Sequence, residues 1–148
     1  MHHFGGGYAD IKMYTKDNNW VQSFSLINKD KRIDVIGTHE VINGSPFGQF
    51  NNPIDREKLL GNGFFIVRKN TEFTTKWYDR VLSVLDKRLP ELRQNPATEP
   101  FGGKGYPLRW AEVQGEIFHK LIMEMYDRNP EKFRNVLRTG WDNGKQYR

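Results

Sequence analysis

Apolar residues alternate with polar ones, or run together, in three stretches that read as strands: residues 8–14, 32–41 and 63–68. In the last of these Phe64, Phe65, Ile66 and Val67 are consecutive, which predicts a strand covered on both faces. Helical spacing organises three others. Residues 17–28 set Trp20, Phe24 and Ile27 on one face, and residues 74–89 set Trp77, Val81 and Leu85 at four-residue steps with Tyr78, Leu82 and Leu89 beside them. The third covers 109–126, and a shorter fourth is predicted over 130–138, with Pro130 at its first position and Gly140 just past its end. Trp20, Phe24, Trp77 and Tyr78 are expected in the core. Strands interleaved with helices predict an α/β architecture. Two loops, 43–55 and 94–107, exceed the usual connection length and suit binding more than plain connection. Phe47, Phe50, Phe101 and Tyr106 lie in them and offer rings for the apolar face of a sugar.

Composition narrows the class. The 148 residues hold 36% hydrophobic and 28% charged positions, an ordinary globular mixture sized for a single domain, 1–148. The absence of Cys excludes a disulfide scaffold, a Cys-based zinc site, an iron–sulfur cluster and a thiol nucleophile together. No apolar run approaches a membrane span and the start lacks the apolar core of a signal peptide, so a soluble, cytoplasmic chain is expected. The net charge of +5 is spread without a run of five like charges. That favours phosphate-bearing partners over dedicated nucleic-acid binding, which clusters its charge. Neither a Ser nucleophile triad nor a phosphate-binding Walker loop is present.

Chemistry is first suggested at Gly5-Gly6-Gly7-Tyr8-Ala9-Asp10-Ile11-Lys12. Glycines permit a tight turn and close backbone approach, and the strand then delivers Asp10 at its end, where ligands bind in open α/β sheets. A glycine triplet that feeds a buried strand needs parallel neighbours and an element before it. Met1-His2-His3-Phe4 therefore reads as the last turn of a helix, and the chain as the C-terminal portion of an N-terminally truncated domain.

This segment resembles the Gly-Gly-x-Tyr-x-Asp-x-Asp signature of GT-A-fold glycosyltransferases, in particular the sugar-binding-region family of initiating mannosyltransferases and capsular-polysaccharide transferases. The resemblance implies an incomplete GT-A-like, Rossmann-like mixed sheet flanked by helices. It also implies transfer of a sugar from a nucleotide-sugar donor to a carbohydrate acceptor, with Gly6, Gly7, Tyr8 and Asp10 at the donor. Asp10 matches the first acid of the signature, which contacts donor sugar or ribose. Lys12 stands where the second acid, a ligand of a divalent cation (Mn²⁺ or Mg²⁺) on the diphosphate, belongs. At about 4 Å and an effective dielectric near 20, an ammonium–phosphate charge pair is worth roughly 4 kcal/mol before desolvation. Two arrangements follow: Lys12 replaces the metal in part, or Asp10 holds it with a ligand from the C-terminal half, for which His119 is the candidate.

Two further blocks fit the same family. Leu59-Leu60-Gly61-Asn62-Gly63 opens the apolar strand, and an Asn there can bond sugar hydroxyls or orient the aspartate; Gly-Asn-Gly is also simply a good turn. On the helix over 109–126, Trp110, Val113, Ile117, Phe118, Leu121 and Met125 gather on one face, and Glu112, Gly115, Glu116 and His119 on the opposite one. That opposite face offers Glu112 and Glu116 as catalytic acid/base groups, with Gly115 leaving room for a ligand, or it is a solvated face. His39 reads as a loop residue. The tail 141–148, with Lys145, suits a flap over a diphosphate or a frayed end. The competing reading is a non-catalytic carbohydrate- or partner-binding fragment, because the half-sheet that grips the nucleotide base in the family lies outside these residues.

Overall fold

The computed structural model describes residues 1–10, 18–39, 58–99, 102–109 and 111–135, together with the backbone of 13–15 and 139–141. Its elements follow in chain order as β1 (Gly6–Ala9), β2 (Met13–Thr15), α1 (Asn19–Lys29), β3 (Val35–His39), β4 (Leu60–Val67), α2 (Glu72–Gln94), α3 (Gly115–Tyr126), β5 (Phe133–Asn135) and β6 (Thr139–Trp141). This is an α/β arrangement around a mixed four-stranded sheet of order β1-β4-β3-β5. β4 pairs antiparallel with both β1 and β3, whereas β3 and β5 run parallel. β2 and β6 form a separate two-stranded ribbon.

The apolar run does what a doubly covered strand requires. Phe65 and Val67 point into a cluster with Phe73, Phe118, Leu121, Ile122 and Phe133, built by α2 and α3. Phe64 and Ile66 point the other way, to Ile27, Ile33 and Ile36 with Trp20 and Phe24 of α1. All four are at least 97% removed from solvent, so β4 lies at the centre of both cores. Truncating a ring such as Phe73 or Phe118, both fully buried, costs on the order of 3–5 kcal/mol.

Arg68 joins the layers. Directly after β4, its guanidinium donates to the carbonyl oxygens of Ile33 at 3.1 Å and Asp30 at 2.9 Å, and also to that of Ile27. These carbonyls include those left open at the C-terminus of α1, where a cation also meets the negative end of the helix dipole. α2 begins at a Thr71–Thr74 capping box, in which each side chain accepts from the other's backbone N–H at 3.2 and 3.0 Å. Residues 2–4 form a turn closed by the Gly5 N–H on the Met1 carbonyl at 2.8 Å, the local geometry expected of a final helical turn. Gly5 leaves it at φ 68°, with Lys69 N and Val67 O both 2.9 Å from where a Cβ would stand, so only glycine fits.

Several sequence expectations are corrected. The strand over 8–14 divides into β1 and β2, which belong to different sheets. β1 is a partly exposed edge strand with an antiparallel neighbour, not a buried strand among parallel ones. The helix over 130–138 is a single 3₁₀ turn, Pro130–Lys132, followed by β5. Phe133 is 3% exposed and packs on Phe73 at 5.7 Å between ring centres, so core burial beside β3 overrides the helix signals. The third helix starts at Gly115 and not at 109. Tyr78 is 41% exposed, with the His2 ring stacked on it at 5.2 Å and the His3 ring edge-on at 5.5 Å. His39 ends β3 and is exposed.

Candidate functional site

The first two motif blocks and the N-terminal end of α3 meet at one end of the sheet. β1 and β4 run antiparallel, so the C-terminal end of β1 lies beside the N-terminal end of β4, and the Asp10 N–H extends the ladder to the Gly63 carbonyl at 2.7 Å. That bond holds the backbone of Asp10 as the chain leaves the sheet. The Tyr8 hydroxyl, two residues back on the same side of the strand, donates to Asp10 Oδ1 at 2.7 Å. The Tyr8 ring is itself stacked on Phe65, with centroids 5.3 Å apart and planes at 28°, so a core residue of β4 sets the direction of the phenol.

Glycines make room for these groups. A Cβ on Gly63 would stand 3.1 Å from Asp10 Oδ2, and one on Gly115 would stand 2.9 Å from the Asn62 side-chain nitrogen. Either methyl group would shift a polar side chain of the site. One strand earlier in the pleat, Gly7 admits the Trp20 ring, which comes to 2.3 Å of a hypothetical Cβ. Gly7 thus serves the seat of α1 under β1, while Gly63 and Gly115 serve the site.

Electrostatics tie β1 to α3. The Tyr8 phenol is pushed above its ordinary value, first by the hydrogen bond to the Asp10 carboxylate, then by burial and by the charge of Asp10. The Gln114 side chain pulls it the other way, which places Gln114, the residue before α3, at the same phenol. Nothing in the periodicity or motifs of the sequence singles out Gln114. Its signal was its place one residue before a glycine that opens a helix.

The other expected residues lie elsewhere. Glu112 accepts the Arg109 backbone N–H at 3.0 Å and an Arg88 guanidinium N–H at 3.4 Å. These contacts, the Arg109 backbone bond first, hold its carboxyl below the usual range. Glu116 accepts from the Arg109 guanidinium at 2.6 Å. Both carboxylates line a cavity of about 290 Å³ between α2 and α3, together with Arg80, Arg109 and Lys120, and Asp10 does not line it. His119 is 3% exposed, against the expectation of an open polar face. α3 is enclosed on more of its circumference than the single apolar stripe suggests, because β4 meets it on the side of Gly115. Gly6 sits at the opposite end of β1, paired with Val67, on a second cavity of about 510 Å³ that Phe4, Phe24, Lys31 and Lys69 help to line. Lys12, Lys145, Trp110, Phe47, Phe50, Phe101 and the loop 43–55 lie outside the described residues. Tyr106 is half-buried and packs over Gly102.

Among the described residues no group of three or more His, Asp or Glu side chains is close enough to share a metal ion. A divalent cation requires several hard oxygen ligands, and the described part of the site provides one carboxylate, already in contact with Tyr8. The residues described do not assemble a cation site. No described helix is long and apolar enough to cross a membrane. Compared with known proteins, the chain matches no family model, no curated protein and no solved structure.

Proposed function

We propose that this end of the sheet binds the sugar of a nucleotide-sugar donor and that the chain belongs to a glycosyltransferase of GT-A-like architecture acting on a carbohydrate acceptor. The observation that carries the reading is the convergence of Asp10, held by Tyr8, with Asn62 and the Gln114–Gly115 start of α3. These groups come from segments separated by about fifty residues each, and together they offer a carboxylate, an amide pair and a phenol to a polyhydroxylated ligand. In the proposed transfer the bond from the anomeric carbon to the diphosphate oxygen breaks, and an acceptor hydroxyl oxygen bonds to that carbon and passes its proton to the departing diphosphate. Asp10 orients the donor hydroxyls. Lys12, two residues on, supplies positive charge toward the departing diphosphate, with no step assigned to a metal.

Glu112 and Glu116 are left out of this chemistry. A carboxylate held below its usual range is a weak proton acceptor, and both are engaged by arginine N–H groups. That same observation favours a second reading, in which the chain binds a sugar or sugar nucleotide without turning it over.

Calorimetric titration with uridine and guanosine diphosphate sugars tests the first premise. Saturable binding that Asp10→Asn removes supports a donor site, and its absence for both nucleotides overturns it. Release of free nucleoside diphosphate on adding oligosaccharide acceptors then separates transfer from binding alone.

A further inference from the structure

α2 carries two apolar stripes, and only one is used within the described fold. Phe73, Trp77, Val81 and Val84 pack into the core with α3. The second stripe consists of Tyr78, Leu82, Leu85, Leu89 and Leu92, at successive steps of four, three, four and three residues. Tyr78, Leu82 and Leu89 are 41%, 40% and 42% exposed, and Leu85 and Leu92 are half-buried. α3 flanks α2 on the other side through Arg80–Glu124, and the segment before α3 does so through Arg88–Glu112. The His2 and His3 rings cover the stripe at its Tyr78 end.

An apolar repeat of 3.5 residues is the seam of a coiled coil, and its natural complement is a helix with the same repeat. We propose that the stripe is the interface of a symmetric homodimer in which α2 packs antiparallel on α2 of a second copy. With 23 residues, α2 spans roughly 35 Å, enough for several layers of the seam. Charge selects the direction. Asp79, Asp86 and Arg93 recur every seven residues along the solvent edge of the stripe, and Asp79 and Arg93 form no ion pair among the described residues. Antiparallel pairing that sets Leu85 against Leu89 of the partner subunit brings Asp79 beside Arg93 of the partner subunit, twice by symmetry. Parallel pairing instead sets Arg88 toward Arg93 of the partner subunit, a like-charge contact. In the antiparallel arrangement Asp86 meets its own copy near the axis, which keeps the association weak.

Sedimentation equilibrium on the full chain reads the proposal. The expected result is a concentration-dependent dimer whose dissociation constant rises at least about a hundredfold in Leu82→Asp/Leu89→Asp, with an unchanged circular dichroism spectrum because both positions are exposed. Arg93→Asp and Asp79→Arg each weaken the dimer severalfold, and the two together restore it. Because the chain has no cysteine, crosslinking is unambiguous: Leu85→Cys/Leu89→Cys joins two copies on mild oxidation and Leu82→Cys does not. A monomer at all concentrations, a dimer indifferent to the Leu82 and Leu89 changes, or efficient crosslinking through Leu82→Cys overturns the proposal. In the monomer case the stripe belongs to a different partner helix.

Discussion

Asp10 and the Glu112–Glu116 pair are carboxylates held in different ways. The glutamates are each met by arginine N–H groups beside a cavity lined by further cations, so their charge is spent on fastening α3 to the segment before it and that segment to α2. Asp10 is met by a phenol at its carboxylate and by a backbone bond at its N–H, both neutral groups that set its direction. An acid anchored by guanidinium groups serves structure, and one aimed by a neutral donor at a sheet end stays suited to a polar ligand. Geometry around the carboxylate, more than its presence in an acidic motif, separates the two.

The sharpest way to break this contrast is to remove each charge in turn. Asp10→Asn is expected to weaken nucleotide-sugar binding by more than about tenfold, or ~1.4 kcal/mol, while Glu112→Gln and Glu116→Gln leave it within about twofold, as read by calorimetry. Equal losses at all three positions would erase the distinction. Next come the glycines. Gly63→Ala presses on Asp10 Oδ2 and Gly115→Ala on the Asn62 amide, so each should weaken binding by roughly three- to tenfold with little change in melting temperature. The stability effects are smaller: Glu112→Gln and Glu116→Gln should each cost about 0–1 kcal/mol in urea unfolding, as expected of partly exposed ion pairs.

The smallest effects are in proton binding. Because Glu112 titrates lower in the folded chain than in the unfolded one, its contribution is present above the ordinary carboxylate range and is lost as pH falls below it; Glu112→Gln should flatten that part of the acid unfolding curve. Tyr8 shows the opposite sign. Its raised pKa means that the unfolded chain releases this proton first, so stability falls as pH rises through the ordinary tyrosine range of about 10. Spectroscopic titration, with Tyr8→Phe as the blank, should show the Tyr8 phenol ionising at lower pH in Asp10→Asn. An unmoved titration would mean that the phenol does not hold the carboxylate.

The central parts of this arrangement were legible from residue order alone. The unbroken Phe64 to Val67 run announced the doubly covered strand, and helical spacing announced α1, α2 and most of α3, because burial on a regular element leaves a period. The glycine–tyrosine–aspartate block pointed to the sheet end where Asn62 also lies. What stayed hidden depends on contacts between distant residues. Arg68 acts on a carbonyl 41 positions earlier, and Tyr8 is aimed by Phe65, neither of which leaves a local trace. The Pro130 segment carries sound helix signals that lose to the burial of Phe133 beside β3. Helical spacing put Glu112 and His119 on one face, yet Glu112 precedes α3 and meets arginines while His119 is enclosed, since neighbours decide where a helix starts and what its face is for.

The indole of Trp20 rests where a side chain on Gly7 would be, three residues before Asp10. Any sideways movement of β1 on occupancy of the sheet end must therefore change the surroundings of that ring. The protein carries a native optical reporter under its candidate binding strand, and the part of the tryptophan emission that Trp20→Phe removes can follow a titration without a dye or a tag.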